Sequence, residues 1–428
     1  KKGIVKRMIG EKKTESNWLA GRYLVFLMGC ALQDALGKEN WKRKPEAVTW
    51  EQVYALSKHC GVEGISYFGV KKLEEQEGKK ADLPAEPLMK AWKQEADRIC
   101  YRTLCFDEER NGILKEMEAQ GLSYLPLKGI RLAEHYPHPG MRLMADNDIL
   151  YGFVEPGPDG GYQIAGGDES SRDRSVQSAQ KVMREIMNQK GYKTESLKGN
   201  HDVYLKKPFY NFEMHRVLMG EGQPNYEYYK NPWKRAIQDT ANPYAYFFSN
   251  EDEYLYLLAH AFKHFYHGGC GIRFLADLYV FQKSKGDRLD RRYLTQELRK
   301  MGMEDFEVKM SQLSIAALEG KPLNRKEAEL LRELLGCGTY GTIRTHVEKK
   351  LERLSDSDSS FKHAKWRYIW KRIVPEKELC KSYFPFFYRH PYLMPVLFLY
   401  RVGKGVIQHP KKLWAEWKIL METKRKEK

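Results

Sequence analysis

The sequence predicts an α+β fold in which a small mixed sheet lies between helical N- and C-terminal regions. Apolar residues recur at helical spacing from Asn17 to about Leu73 and again from Glu251 onward. Between Leu122 and Val217, short apolar or alternating segments show the period of strands instead. The chain has 428 residues, more than one hydrophobic core usually organises, so two or three subdomains around a shared cleft are expected. The expected division is a helical region at 1–100, the mixed core at 101–220 and a second helical region at 221–428 that ends in a basic, aromatic tail.

The helical reading of the first region rests on Trp18, Tyr23, Leu24, Leu27 and Leu32, then on Trp50, Val53, Leu56 and Ile65. Gln76 to Pro87 is charged, carries two prolines and reads as a loop before a long helix from about Leu88 to Gln120, closed by Gly121. Leu122 to Leu127 suits a buried strand, Lys128-Gly129 a turn, and Ile130 to His135 a short helix. After a loop at Tyr136 to Gly140, Arg142 to Tyr151 reads as a second strand. Gly152 to Asp173 reads as a glycine- and acid-rich loop, and about Ser175 to Lys190 as a helix. Tyr192 to Leu197, His201 to Lys206 and Phe209 to Val217 are strand-like and suggest a sheet completed by antiparallel pairing. Helices follow at Tyr254 to His267, Ile272 to Lys283, Leu289 to Met301 and on to Leu354.

Composition narrows the function classes. Hydrophobic residues make up 42%, aromatics 13% and charged residues 30%, which excludes a disordered chain. The seven cysteines form no CxxC pair or disulfide framework, so a reducing cytoplasm fits best. The basic start, Lys1 to Lys13, leads into no apolar signal core and lacks an initiator Met, which reads as a trimmed or processed end. The most apolar run, Tyr392 to Val402, is interrupted by Pro395 and Arg401 and is too short to span a bilayer. Net charge is +16, and Phe361 to Lys428 holds 17 Lys/Arg against 5 Asp/Glu. Such a tail suits a polyanion, either nucleic acid or an anionic membrane surface; a solvated helical face has the same composition.

The chemistry gathers around Asp146 and Asp148. On a strand, side chains two apart leave the same face, so two carboxylates would repel unless a cation lies between them. Hard oxygen ligands select Mg²⁺ or Mn²⁺, and Mg²⁺ is commonly held by a few carboxylates plus substrate phosphates. Leu127-Lys128-Gly129 stands one helix earlier, where a glycine turn presents backbone N–H groups to phosphate. Lys128 or Arg142 adds a point charge. A third carboxylate, Glu213, shares a strand face with His215, while Phe212 and Met214 would face the core.

Leu125-Pro126-Leu127-Lys128-Gly129, then Arg142 through Asp146-Asn147-Asp148 to Leu150, then Phe212-Glu213-Met214-His215 resemble, in order and spacing, the motifs of an uncharacterised bacterial nucleotidyltransferase family of the polymerase-beta-like superfamily. The likeness continues from Glu251 through His260 and His264 to Asp277, covering roughly residues 50 to 285. It implies a palm-like sheet in which Asp146 and Asp148 hold two metal ions, Glu213 ligates one of them near an acceptor hydroxyl, and Lys128-Gly129 takes the place of a Gly-Ser phosphate turn. Two metals about 3.5–4 Å apart would serve an in-line displacement at the α-phosphate of an NTP, with pyrophosphate leaving. Lys in place of that Gly, and Asn147 where an apolar residue is more usual, depart from the superfamily pattern. A relative that only binds nucleotide or polyanion therefore stays open.

His260, His264 and His267 share one helical face, which suits a polar wall of the cleft; a zinc site is the alternative. Arg273 and Asp277, one turn apart, would pair with each other or with those histidines. The acceptor is open between a small molecule, sugar or peptide and, because of the basic tail, RNA or a protein. Trp366, Tyr368, Trp370, Trp414 and Trp417 in that tail would stack bases, sit at a lipid interface or pack a helical domain.

Overall fold

A computed structural model describes residues 2–33, 43–78, 81–197, 199–339, 341–355, 361–375, 380 and 384–423. Parts of the basic tail, residues 376–379, 381–383 and 424–428, lie outside the described residues. The fold is α+β, with helices on either side of a small mixed sheet.

The first helical stretch resolves into α1 (Lys2–Leu32), α2 (Trp50–Cys60) and α3 (Glu63–Glu77). A capping box starts α2: Thr49 Oγ1 accepts from the Gln52 backbone N–H, and the Gln52 side chain accepts from that of Thr49. Gly61, at φ +64°, ends it. Helices α1 and α3 approach closely because Gly69 has no side chain; a Cβ there would lie 1.9 Å from the Leu27 carbonyl oxygen. Gly69→Ala is expected to destabilise the chain by about 2 kcal/mol, overpacking outweighing the gain in helix propensity. An unchanged midpoint in denaturant unfolding would contradict that.

The loop before Leu88 leads into α4 (Glu86–Ala119), and Gly121, at φ +71°, follows its end. The sheet comprises β1 (Ser123–Pro126), β2 (Asn147–Gly152), β5 (Lys193–Ser196), β6 (His201–Lys206) and β7 (Tyr210–His215), in the order β1-β2-β7-β6-β5. Only β2 and β7 are parallel; the other pairs are antiparallel. The second strand is shorter than its expected range. Ladder pairing begins at Asn147, so Asp146 stands immediately before the strand. The expected loop at 152–173 contains a hairpin, β3 (Val154–Pro156) with β4 (Tyr162–Ile164), turning through Gly160 and Gly161, both at positive φ. Strands of three residues are too short for periodicity to reveal them. A second small hairpin joins β8 (Ala236–Gln238) to β9 (Tyr246–Phe248).

One face of the sheet packs on α4 and α6 (Glu169–Gln189), with Phe106, Ile113, Met183, Ile149, Phe212 and Met214 fully or nearly fully buried between them. Each such side chain contributes about 2 kcal/mol relative to exposure. Asn147 belongs to that side, where its Oδ1 accepts from Arg110 Nη1 of α4 at 2.9 Å. A polar residue is held there by a specific partner.

The opposite face is overlooked by α5 (Gly129–Ala133), α7 (Asn250–His267) and α8 (Arg273–Lys285). Helices α9 (Arg291–Lys300), α10 (Glu304–Leu318) and α11 (Arg325–Gly336) share a core with α1 to α3, which includes Leu24, Leu27, Leu275, Leu313 and Leu334. A smaller cluster joins α12 (Ile343–Leu354), α13 (Phe361–Ile373) and α16 (Pro410–Glu422) through Val347, Leu351, Tyr368 and Leu420. Between the last two run α14 (Pro385–Arg389) and α15 (Met394–Gln408). No helix among the described residues is long and apolar enough to cross a membrane.

Candidate active site

The parallel pairing of β2 with β7 sets Asp148 directly beside Glu213, and the antiparallel pairing of β6 with β7 sets His201 beside His215. Because side chains alternate along a strand, Asp148, Glu213, His215 and His201 share the face that looks away from the α4/α6 core. They line a cavity of about 860 Å³ together with Lys128, Gly129, Arg142, Asp146, His260, Lys263, His264 and Asp277. The acidic, basic and histidine candidates from the sequence therefore reach one cavity, although the elements that carry them are far apart in the chain; the aromatic residues of the tail do not line it.

Asp148 is the hub. Its Oδ1 accepts from Lys128 Nζ at 2.8 Å and from His215 Nε2 at 2.8 Å. Burial opposes its ionisation, but the Lys128 ammonium and His215 outweigh that and hold its carboxyl well below the usual range. The same pairing raises Lys128 above an ordinary lysine despite its burial. Lys128 also has φ +37°, a left-handed backbone that costs a non-glycine residue about 1–3 kcal/mol. With Nε2–H donating to Asp148, the lone pair of His215 is on Nδ1, which is buried with no hydrogen-bond partner among the described residues.

Asp146 and Glu213 behave oppositely. Burial and the neighbouring Asp148 push Asp146 up, and burial, Asp148 and Asp146 push Glu213 up to about 7. Metal-ligand atoms among the described residues come closest in the group His201, Glu213 and His215, all within 4.8 Å of one another. Asp146 and Asp148 fall outside that group. Of these three, His201 went unrecognised in the sequence; its signal was its place opposite His215, visible only once the register is known.

The raised pKa of Glu213 makes stability depend on pH. Glu213 has an ordinary value of 4.5 and a folded value of about 7. Its protonated form is favoured by folding, so its contribution is complete below the ordinary value and lost as pH rises through about 7. For metal-free protein, the thermal midpoint is expected to fall as pH rises across this window. Glu213→Gln, which stays neutral, is expected to flatten the fall, by at most about 3 kcal/mol. Equal slopes in the two proteins would contradict it.

Arg142 and Asp277 form a buried bidentate pair, Nε to Oδ1 at 2.7 Å and Nη2 to Oδ2 at 3.0 Å, and Tyr136 Oη donates to the same carboxylate at 2.7 Å. Asp277 thus takes a partner that helical spacing does not suggest. Gly129 leaves room beside this pair, since a Cβ there would lie 2.8 Å from Arg142 Nη1. Arg273 reaches the Leu143 carbonyl at 3.2 Å.

On α7, His260 and His264 bond through their Nε2 atoms at 3.1 Å. Burial, with Lys128 beside it, holds His260 well below an ordinary histidine; burial, with Lys263 beside it, lowers His264 to about 3. Both rings are therefore neutral at pH 7. Lys263 lies on the same helix, lowered to about 8 by burial and by the Lys128 charge. The signal that could have found it is helical spacing, since it lies three residues after His260. In the tail, Tyr368 is buried while Trp366, Trp370, Trp414 and Trp417 are each more than half exposed.

A family model described as "Uncharacterised nucleotidyltransferase" matches residues 46–152 and 176–316, more than half of the chain. The chain belongs to that family, and is an enzyme of the nucleotidyltransferase class. No curated protein and no solved structure matches it.

Proposed function

We propose that this enzyme moves an NMP from an NTP to an acceptor hydroxyl, using Mg²⁺ or Mn²⁺. The observation that carries this reading is the juxtaposition of Asp148 and Glu213 across β2 and β7, with Asp146 at the entry to β2 and Lys128 bonded to Asp148, all lining one cavity. The donor set suits a hard divalent cation. Asp146 and Glu213 are both held above ordinary carboxylates by burial and by the charge of Asp148, so an added cation relieves their repulsion.

In this reading Asp146, Asp148 and Glu213 hold the metal, and His215 orients Asp148 through its Nε2–H. Bound metal would neutralise charge on the α-phosphate and the leaving pyrophosphate. Lys128 and Lys263 would contact phosphate oxygens. For Lys128 the ammonium matters more than the following helix, since α5 has only five residues. Arg142, fixed by Asp277, shapes the turn around Gly129 and adds positive charge. His260 and His264 form a neutral polar wall. Substrate positioning and charge neutralisation then supply most of the rate.

Calorimetry with ATP, GTP, CTP and UTP tests this directly. At least one should bind with Mg²⁺ or Mn²⁺ and not with metal removed by chelation. Metal-independent binding, or none, contradicts the reading.

The exposed tryptophans among the lysines of the tail favour a second reading, in which the acceptor is RNA. That predicts binding that weakens steeply with salt and is lost on deleting residues 411–428. Unchanged affinity after the deletion counts against it.

A further inference from the structure

Helix α15 turns its most apolar side away from the protein. Val396, Leu399, Tyr400, Val406 and Ile407 recur at the spacing of one helical face, and each is more than half exposed, Leu399 at 76% and Ile407 at 81%. With 3.6 residues per turn, these five fall within an arc of about 120°. The opposite side holds the helix in place. There Leu397 is fully buried, Arg401 donates through Nη2 to the Arg372 carbonyl, and a Cβ on Gly405 would lie 3.4 Å from Leu413 Cδ1 of α16. On α16, Trp414, Trp417 and Met421 stand at i, i+3 and i+7 and are likewise more than half exposed. Apolar rows of this length on the outside of a protein mark a surface that a partner covers.

Charge and side-chain type select the partner. From Pro385 to Glu422 six Lys/Arg stand against two Glu, and both glutamates are paired, Glu416 with Arg372 and Glu422 with Arg344. A second copy of this chain would bring the same positive charge, out of a net +16, to the contact. RNA would meet the lysines and stack on the tryptophans, but Val396, Leu399, Val406 and Ile407 offer no ring to a base. An anionic bilayer surface uses all three features. Aliphatic side chains enter the boundary of the acyl region, Tyr and Trp rings suit the headgroup level, and Lys and Arg meet lipid phosphates. Fifteen residues that include Arg401 and Lys404 let α15 lie on a bilayer and not span it.

We propose that α15 docks this enzyme on an anionic membrane surface, entering with Val396, Leu399, Tyr400, Val406 and Ile407, while Trp414 and Trp417 of the adjoining α16 add contacts at headgroup level. Docking of this kind is independent of the group that the acidic centre transfers.

The test sediments the full chain with vesicles of phosphatidylcholine containing about 30% phosphatidylglycerol and, in parallel, with vesicles of phosphatidylcholine alone. Binding is expected to the anionic vesicles and to be at least about tenfold weaker to the neutral ones. Leu399→Ser combined with Ile407→Ser is expected to weaken binding to the anionic vesicles by about tenfold with an unchanged thermal midpoint, since both side chains are exposed. Val308→Ser, which removes an exposed apolar side chain from α10, is expected to leave binding unchanged. Equal binding by the unmodified chain and the Leu399/Ile407 variant overturns the proposal, because charge alone would then hold the chain to the vesicle. Absence of binding to anionic vesicles overturns it as well. Capture of single-stranded RNA in place of vesicles, lost in the same variant, would assign the face to nucleic acid. A dimer in solution that the variant dissociates would assign it to a second copy, and either result overturns the proposal.

Discussion

Asp146→Asn is expected to lower nucleotidyl transfer on the order of 10³-fold or more while leaving the metal-free protein at least as stable as the unmodified chain. The rate loss follows from the role proposed for Asp146: a metal ion that stabilises transition-state charge is worth several kcal/mol, and each 1.4 kcal/mol is about tenfold. Retained stability follows from its surroundings. Burial and Asp148 already push its carboxyl up, so removing its charge relieves repulsion. Initial rates with α-labelled NTP, read beside a thermal melt, check both halves. Unchanged label transfer would remove Asp146 from the site; a collapsed melt would give it a structural role instead.

Asp148→Asn should behave differently, losing activity and about 3 kcal/mol of stability together. Asp148 is 3% exposed and accepts hydrogen bonds from both Lys128 and His215. Removing its charge leaves the Lys128 ammonium buried without its counter-charge, and breaking one side of a buried pair is costly. Adding Lys128→Met to Asp148→Asn should restore most of the stability but none of the activity. Denaturant unfolding of the single and double variants gives the coupling. A double variant no more stable than the single one would show that the ion pair contributes little.

The sequence made the elements of the fold legible where they are long or strongly patterned. The long helix before Gly121, the strands at His201–Lys206 and Tyr210–His215, and the helix carrying His260 and His264 follow from periodicity and caps. Phe212 and Met214, expected to face a core, are fully buried. What could not be read locally is adjacency. Nothing in the residues near Asp148 says that β2 pairs in parallel with β7, more than sixty positions on, yet that register sets Asp148 beside Glu213 and brings His201 to His215. Arg142 and Asp277 are 135 positions apart, so the spacing that linked Asp277 to Arg273 concealed its closer partner. The hairpin at Val154–Ile164 was missed because its strands are three residues long. The basic tail was visible only as composition; its division into a cavity wall, with Arg401, and an exposed surface, with Trp414 and Trp417, depends on how α12 to α16 pack.

The central claim is that the α-phosphate is attacked and pyrophosphate leaves. Parallel reactions with α-labelled and γ-labelled NTP, in the presence of Mg²⁺ and pooled acceptors, test it most directly. The expected result is α-label retained on the acceptor and γ-label recovered as pyrophosphate, both abolished by Asp146→Asn. Retention of the γ-label on the acceptor would mean phosphoryl transfer instead, and would contradict the account.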